Sequence, residues 1–302
     1  MSKLLNNKKI YSFIILHYLN QDVTINCIKS IIKYYSNNNI FIVVVDNASP
    51  NNSLEIIKDY FEGNDNISYI RNSTNLGFAK ANNIGISFAK NKFNSDFYIV
   101  INSDIEFIQE SFLDKINEIY SRVSFDILGP DILQPFDGDY LHSSPHSLDV
   151  PNKKSVEESL LSLYIKKLRL KICFFDIVLP WIMKPFKILI RHNTINTIDY
   201  SKEYLMPKLQ GSCYVFSKKY ILSKNKVFCE DIFFYGEEEA TSYYAKIENR
   251  IVIYSPRVKV IHKAYGSLNK ALESNNENDK KIYIINSYIE AYKVLKKIMN
   301  NK

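Results

Sequence analysis

The triplet Asn102-Ser103-Asp104 directly follows the apolar run 97–101, so an amide, a hydroxyl and a carboxylate are predicted where a buried strand ends. Mg²⁺ and Mn²⁺ prefer oxygen ligands, and one or two carboxylates hold them when phosphates of a bound molecule supply the rest. The triplet is therefore suited to a divalent cation. An alternative stays open, in which Asp104 only caps a helix that starts near Glu106.

Three further polar residues stand at the ends of predicted strands, namely His17, Asp46 and Arg71. An acid at a strand end can accept hydrogen bonds from a ribose or from the edge of a base, which suits Asp46. The segment 47–50 allows a second interpretation, in which Asp46 helps to form a turn before the next helix. The two roles can coexist.

The stretch 72–86, NSTNLGFAKANNIGI, combines glycine with asparagine just before a predicted helix. Glycine lets the backbone approach a ligand closely, as at Gly77. Asparagine amides, as at Asn75 and Asn82, can bond hydroxyl or phosphate groups. As an isolated pattern this stretch is weak.

Three adjacent acids, Glu237, Glu238 and Glu239, follow the aromatic run FFYG. Acids beside apolar surface favour a raised pKa for at least one carboxylate, which suits a general base near neutral pH. A solvated helix start is the other interpretation, because negative charge there matches the helix dipole. His262, at the end of a predicted strand, is a possible metal ligand or a structural residue.

The elements that must position these residues are strands and helices in alternation. Apolar runs near Tyr11, Ile40, Ile67 and Phe97 are each separated by a turn and an amphipathic segment. This pattern predicts an α/β fold with a parallel sheet buried on both faces. In such sheets ligands bind beyond the carboxyl ends of the strands, where the polar residues above are found.

Composition sets the broad class of the protein. The chain has 302 residues, 46% hydrophobic, enough for one large domain or two small ones. Its net charge of +7 favours phosphate-bearing partners: a nucleotide, a nucleic acid or an anionic membrane surface. The four cysteines form no CxxC pair, so we expect a reducing, cytoplasmic setting. No apolar run approaches the roughly 20 residues of a spanning helix.

Residues 160–191 alternate basic with large apolar side chains. Such a segment is typical of peripheral membrane contact, here at the inner membrane face, or of a helical hairpin that covers the sheet. The chain is accordingly divided into a nucleotide-binding half (1–135), a basic amphipathic insertion (136–204) and an acceptor-binding half (205–302) with a C-terminal helix.

Six motifs, in this order, carry a resemblance: VVVDNAS, NLGFAKANN, VINSD, GSCYVFS, FFYGEEE and VIH. Together they resemble the family 2 inverting glycosyltransferases of the GT-A fold, especially the rhamnosyltransferase-like branch of bacterial surface-polysaccharide enzymes. The resemblance is strong over residues 10–130 and moderate over 205–266. It implies a Rossmann-like, mostly parallel sheet flanked by helices.

The resemblance also implies roles for individual residues. Asp46 contacts the nucleoside, Asp104 and His262 bind Mn²⁺ or Mg²⁺, and Glu238 is the catalytic base with Glu237 beside it. The wider predicted donor-binding set comprises His17, Asp46, Asn47, Arg71, Asn75, Gly77, Asn82, Asn102 and Ser103.

The expected reaction moves a sugar from a nucleotide-diphosphate donor, dTDP-rhamnose or a UDP-hexose, to a lipid-linked or nascent glycan, with no role for nucleic acid. The sequence departs from the family where Ala240 to Tyr244 replace an Asp-Leu-x-x-Arg pattern. That departure makes the acceptor side the less well defined half.

Two other classes of protein remain as alternatives. A sugar nucleotidyltransferase usually has a Gly- and Arg-rich phosphate loop after its first strand, and LHYLNQD offers none. A degenerate nucleotide-sugar-binding protein would bind donor without turnover, and a basic nucleic-acid binder would show a steep salt dependence.

Overall fold

The computed structural model describes residues 8–171, 198–264 and 277–301. Within these ranges ten strands form one sheet: β1 (Ile10–His17), β2 (Asn39–Asp46), β3 (Ile67–Arg71), β4 (Phe97–Asn102), β5 (Ile105–Phe107), β6 (Ile127–Phe136), β7 (Asp139–His142), β8 (Tyr204–Leu205), β9 (Cys213–Ser217) and β10 (Val252–His262). The helices in the same ranges are α1 (Gln21–Tyr35), α2 (Ser53–Tyr60), α3 (Gly77–Phe93), α4 (Phe112–Val123), α5 (Lys153–Lys171), α6 (Lys218–Leu222), α7 (Glu237–Ile247) and α8 (Glu277–Asn300).

The sheet order is β3-β2-β1-β4-β9-β6-β10-β5, with β7 paired to β6 and β8 to β10. Strands β1 to β4 are mutually parallel where they pair. Strand β9 is antiparallel to both β4 and β6, and β10 is parallel to β6. The carboxyl ends of β1, β2, β3, β4, β6 and β10 therefore meet at one edge of the sheet.

The strands are continuous apolar runs because helices cover both faces of the sheet. Along β1, Phe13 and Ile15 point into one hydrophobic core, while Ile14 between them points into the other. Helices α1, α2 and α4 complete the first core. Helices α3, α6 and part of α7 complete the second.

A third, smaller core lies between α5, α7 and α8. Leu160 of α5 is buried there together with Ala240 of α7 and Leu295 of α8. An ion pair of 3.0 Å joins Lys296 Nζ to Glu157 Oε1 across the two long helices. The C-terminal helix is thus fixed against the start of α7, which carries the three adjacent acids.

The predicted α/β fold with a mostly parallel sheet is confirmed. One local expectation was wrong, because the chain after Asp104 does not enter a helix. Residues 105–107 instead form β5, which pairs with β10, and the next helix begins at Phe112. The alternative in which Asp104 caps a helix is therefore excluded.

The predicted three-part division stays a prediction. Strand β7 belongs to the insertion 136–204 but pairs with β6, so that segment adds to the common sheet. Of the basic stretch 160–191, residues 160–171 belong to α5, and residues 172–191 lie outside the described residues. Within the described ranges, no helix has the length and apolar character needed to cross a membrane.

Candidate active site

Asp104 and His262 are side by side at the carboxyl edge of the sheet. Asp104 lies in the turn between β4 and β5, and β5 pairs with the end of β10 so that Ile105 faces His262. The Asp104 Oδ1 and His262 Nε2 atoms are 3.1 Å apart, and both side chains are largely buried. The pairing of β5 with β10 therefore brings together two residues that are 158 positions apart in the sequence.

The second ring nitrogen of His262 also has a partner. Its Nδ1 atom lies 3.3 Å from Nε2 of Gln134, near the end of the neighbouring strand β6. A partner at this nitrogen fixes the ring orientation of a histidine that uses the other nitrogen for binding. Gln134 was not singled out in the sequence, because no local pattern distinguishes it.

A hydrogen-bond network joins the ends of β2 and β3 to the loop that precedes α3. The Asn47 side-chain amide donates to Asn75 Oδ1 at 2.8 Å. Its oxygen accepts from Asn72 Nδ2 at 3.2 Å and from the Leu76 N–H at 2.9 Å. Asn47 is nearly fully buried, so it acts as the organising residue of this loop.

Arg71 and Asp46 extend that network. Arg71 Nε lies 3.3 Å from Asp46 Oδ2, and Nη1 and Nη2 bond Glu55 Oε1 and the Ser49 carbonyl, each at 3.1 Å. Asp46 Oδ1 accepts from the Ser49 N–H at 3.1 Å, which confirms the predicted turn. We name Asp46, Asn47, Arg71, Asn72 and Asn75 the strand-end cluster.

An open cleft of about 420 Å³ lies against the strand-end cluster. Its lining residues are Ala48, Ser49, Arg71, Asn72 and Ser73. This volume falls within the range of about 300–1,000 Å³ that is usual for small-ligand sites. The cleft is at the carboxyl edge of the sheet, as expected for a nucleotide.

His17 is a buried connection between elements. Its Nδ1 and Nε2 atoms bond Thr24 Oγ1 at 2.7 Å and Ser53 Oγ at 2.8 Å. Burial lowers the pKa of His17 to about 4, although the charge of Asp46 opposes this effect. The ring is therefore neutral at pH 7 and joins β1 to α1 and α2. Donor contact by His17, which would break one of these bonds, stays a prediction.

Gly77 and Asn82 of α3 were predicted to contact the donor, but their described contacts are within the protein. Gly77 has a φ of +73°, and a Cβ atom there would lie 2.2 Å from the Phe233 carbonyl oxygen. The close approach that this glycine permits is thus to the protein chain. Asn82 is fully buried and donates to the Phe78 carbonyl at 3.1 Å. Neither residue faces the cleft described above.

The three acids at the start of α7, which we name the carboxylate cluster, are connected to the loop that contains Asp104 through two adjacent residues, Gly211 and Ser212. The Gly211 N–H donates to Glu238 Oε1 at 3.2 Å. The carbonyl of Ser212 accepts from the Asn102 N–H at 3.0 Å. A Cβ atom on Gly211 would lie 3.0 Å from Glu238 Oε1, so a glycine lets this carboxylate reach the backbone.

Burial changes the acidity of Glu237 and Glu238. Desolvation, and then the neighbouring charge of Glu239, raise the pKa of Glu238 to about 7. Desolvation and then the charge of Glu238 raise the pKa of Glu237 well above its ordinary value. Glu238 is therefore poised to exchange a proton near neutral pH, and burial makes the Glu237 carboxyl group a weaker acid than an exposed glutamate.

Glu239 behaves in the opposite way. Burial disfavours its ionised form, but the charge and hydrogen bond of Lys208 outweigh this and lower its pKa. Lys208 Nζ is 2.9 Å from Glu239 Oε1, and the Tyr292 hydroxyl donates to the same oxygen at 3.0 Å. A fixed negative charge thus stands next to Glu238.

The comparison with protein families decides the class. The profile of glycosyl transferase family 2 matches residues 12–178, which is more than half of the chain. The chain belongs to glycosyl transferase family 2. No curated protein sequence gives a significant match to this chain.

Solved structures share the fold of this chain at low sequence identity. A crystal structure of GalNAc-T7 with UDP, GalNAc and Mn²⁺ superposes with a TM-score of 0.59 at 14% identity, over 85% of this chain and 44% of that one. S. aureus TarS 1-349 superposes with a TM-score of 0.53 at 13% identity, over 94% of this chain and 71% of that one. The predicted GT-A fold is thereby confirmed.

The same TarS fragment in complex with UDP superposes with a TM-score of 0.52 at 14% identity, over 93% of this chain and 70% of that one. The chain spans less than half of the length of GalNAc-T7. The similarity is therefore one of fold.

Asp104 and His262 are suited by chemistry to hold a divalent cation. In the described ranges, no group of three His, Cys, Asp or Glu side chains is arranged to hold a metal ion. Asp104 and His262 supply one carboxylate oxygen and one imidazole nitrogen, which Mn²⁺ accepts, and half-buried Asn102 and Ser103 flank them. Such a pair suits an ion that takes its other ligands from a diphosphate and water.

Several residues of the site were missed in the sequence. Lys208 and Tyr292 carry no local pattern, since they meet Glu239 only through the fold. Gly211 and Ser212 open the quoted motif GSCYVFS, so the motif indicated their importance, although their contacts were not foreseen.

Proposed function

We propose that this glycosyltransferase is a metal-dependent, inverting enzyme that takes a sugar from a nucleotide-diphosphate donor. The observation that carries the proposal is the short link between its two chemical centres. Glu238 bonds the Gly211 N–H, and the adjacent Ser212 bonds Asn102, which begins the triplet containing Asp104. A base and a site for a departing diphosphate are thereby neighbours at one edge of the sheet.

Asp104 and His262 are the residues that would hold Mn²⁺ or Mg²⁺. When bound, the cation would supply positive charge against the negative charge that develops on the departing diphosphate. Asn102 and Ser103 lie beside this pair and are suited to orient the diphosphate through their side chains.

The strand-end cluster is proposed to hold the nucleoside in the adjoining cleft. Asp46 and Arg71 offer a carboxylate and a guanidinium there, with Asn47, Asn75 and Gly77 fixing the loop around them. The UDP in the GalNAc-T7 and TarS structures supports a uridine donor. The donors proposed are a UDP-hexose or dTDP-rhamnose.

Glu238 is proposed as the general base. With its pKa raised to about 7 by burial, its carboxylate is a stronger base than an exposed glutamate and is still largely ionised at pH 7.5. It accepts the proton of the attacking hydroxyl as the new C–O bond forms and the diphosphate leaves from the opposite face. Glu237, whose pKa burial also raises, is suited to hydrogen-bond the acceptor from its place beside Glu238.

The test combines binding with product analysis. We expect UDP or dTDP sugars to raise the melting temperature only with Mn²⁺ or Mg²⁺ present, because a ligand that binds the folded state stabilises it. NMR of the product should then show inversion at the anomeric carbon. Stabilisation that is equal without metal contradicts metal dependence, and retention of configuration contradicts the displacement.

The acceptor is proposed to be a lipid-linked or nascent glycan. The basis is the basic amphipathic stretch 160–191 in the sequence, most of which lies outside the described residues. Flotation with anionic liposomes tests peripheral contact with the inner membrane face. Protein that stays at the bottom of the gradient argues for an acceptor that is free in solution.

A further inference from the structure

His262 lies between two neighbouring strands, and each of them provides a partner for one of its ring nitrogens. Strand β10 pairs with β5 on one side and with β6 on the other. On the β5 side, Asp104 Oδ1 lies 3.1 Å from Nε2 of the histidine. On the β6 side, the amide nitrogen of Gln134 lies 3.3 Å from Nδ1. The ring is therefore held across the sheet from both sides.

The direction of these two hydrogen bonds follows from the chemistry of the outer partners. The amide nitrogen of Gln134 can only donate, so Nδ1 of His262 accepts and carries no proton. The ring is then neutral, with its proton on Nε2. A carboxylate oxygen can only accept, which agrees with this result, because Asp104 Oδ1 faces Nε2. Both contacts thus select the same tautomer.

This tautomer is the opposite of the one that a cation needs at Nε2 of His262. A protonated Nε2 has no free electron pair, and a histidine that binds metal usually donates a hydrogen bond from its other ring nitrogen. Binding through Nε2 therefore requires that its proton leaves to solvent while Nδ1 takes one up from solvent, so that the ring stays neutral. An N–H group at Nδ1 would then point at the N–H groups of the Gln134 amide.

The Gln134 side chain can remove that conflict without a change in the backbone. Half a turn about its Cγ–Cδ bond exchanges nitrogen for oxygen and presents Oε1 to an N–H group at Nδ1 of His262. Gln134 is only half-buried, near the end of β6. The buried amide of Asn47 differs, because its nitrogen donates to Asn75 while its oxygen accepts from Asn72. Half a turn there would break both bonds.

We propose that Gln134 is a positioning residue that selects the tautomer of His262 through the orientation of its amide. With the amide nitrogen towards Nδ1, the Nε2 proton bonds Asp104 and holds the two side chains together. With the amide oxygen towards Nδ1, Nε2 is free to bind a cation beside Asp104. The role of the cation rests on the proposed function, whereas the tautomer without a cation follows from the described contacts.

NMR of the whole protein, labelled with ¹⁵N in its histidines, measures the tautomer directly, because protonated and unprotonated ring nitrogens resonate far apart. His262→Gln identifies the signals of this residue by their loss. We expect Nδ1 of His262 to be unprotonated in EDTA and protonated with Mg²⁺ and UDP. His142 is an internal reference for a protonated Nδ1, because that atom lies 2.7 Å from Asp131 Oδ1.

Two substitutions separate the chemistry of the amide from its size. Gln134→Glu offers a carboxylate that can only accept, so Nδ1 of His262 should be protonated even in EDTA. Gln134→Leu offers neither a donor nor an acceptor and should weaken Mn²⁺ binding with UDP about 10- to 100-fold, measured by EPR. Gln134→Glu should weaken it no more than about 3-fold. Gln109→Leu is the matched control and should change neither measurement, because Gln109 bonds the β10 backbone at Arg257 and Lys259.

The outcomes separate this proposal from the proposed function. A protonated Nδ1 in the metal-free wild type, or the same tautomer in the wild type and Gln134→Glu, overturns the role of Gln134, as does wild-type Mn²⁺ affinity in Gln134→Leu. If Gln134→Leu does not fold, Gln134→Glu decides. Mn²⁺ that fails to bind the wild type with UDP, or binds His262→Gln equally well, instead contradicts the proposed metal site. The metal-free spectra still decide whether Gln134 sets the tautomer.

Discussion

The strand-end cluster and the carboxylate cluster differ in what holds them in place. Asp46 and Arg71 face each other because β2 and β3 pair in register, and the sheet alone brings them together. The glutamates of α7 are instead held by Gly211, Lys208 and Tyr292, which come from two other parts of the chain. Sheet pairing thus positions the proposed donor-binding residues, whereas contacts between distant segments position the proposed catalytic base.

The largest expected effect is at Asp104 and His262, the proposed metal ligands, which sheet pairing also positions. Asp104→Ala should lower sugar transfer by about 10³-fold or more, because it removes the only carboxylate of the triplet. The measurement is turnover at saturating donor together with Mn²⁺ affinity. Asp59→Ala, at an exposed position of α2, is the matched control. Near-normal activity in Asp104→Ala would mean that this pair has no part in catalysis.

Glu238→Gln tests the other side of the comparison. We expect turnover to fall about 10²- to 10⁴-fold with donor affinity kept, since the amide cannot accept a proton. In the wild type, activity should fall as the pH drops through about 7, where Glu238 becomes protonated. Glu237→Gln is the neighbouring control and should retain that pH dependence. Equal losses in both variants would contradict a single base.

The glycine variants test how the two sides are joined. Gly63 and Gly77 both have a positive φ, but a Cβ atom meets nothing within 4 Å at Gly63 and the Phe233 carbonyl at Gly77. Gly63→Ala should reduce the free energy of unfolding by about 1–2 kcal/mol. Gly77→Ala should reduce the free energy of unfolding by about 1–3 kcal/mol more than Gly63→Ala does, because the backbone at Phe233 must move. Denaturant unfolding measures both, and equal losses would show that the Phe233 loop yields easily.

The smallest expected effect is on the pH–rate profile, which two substitutions around Glu238 should shift in opposite directions. Glu239→Gln removes a negative charge beside Glu238, so the pKa of Glu238 should fall and the acid limb of the pH–rate profile should move to lower pH. Lys208→Met removes a positive charge and should move the limb to higher pH. Each shift should be about one pH unit or less, measured as kcat against pH. Shifts in the same direction would rule out an electrostatic origin.

Stability gives an independent measure of the same charges. A carboxyl group whose pKa is raised by folding binds its proton more tightly in the folded state, so stability is lost as the pH rises from about 4.5 to about 7. Glu238→Gln should remove that loss and raise the free energy of unfolding at pH 8 on the order of 1–3 kcal/mol. A variant that is less stable than the wild type at pH 8 contradicts the raised pKa.

The sequence was most informative where chemistry and sheet topology coincide. Asp46 and Asp104 end apolar runs that could only be buried strands, so their place at the carboxyl edge followed from the strand pattern. The strand after Asp104 was not foreseen, because three residues are too few to show the alternation of apolar and polar side chains that predicts a strand. Its partner β10 also lies far along the chain. Lys208 and Tyr292 were missed for the same reason, since their effect on Glu239 depends on packing between segments.

Strand β9 lies between β4 and β6 and is antiparallel to both of them. During synthesis the first four strands can therefore pair while β4 still presents an open edge of unpaired backbone groups. That edge stays uncovered until more than 100 further residues have left the ribosome. Such an edge invites pairing with other chains, so the nascent protein is most at risk of aggregation in this interval. We expect chaperones to bind ribosome-bound chains that are stalled before residue 213, because the edge of β4 is still exposed in them.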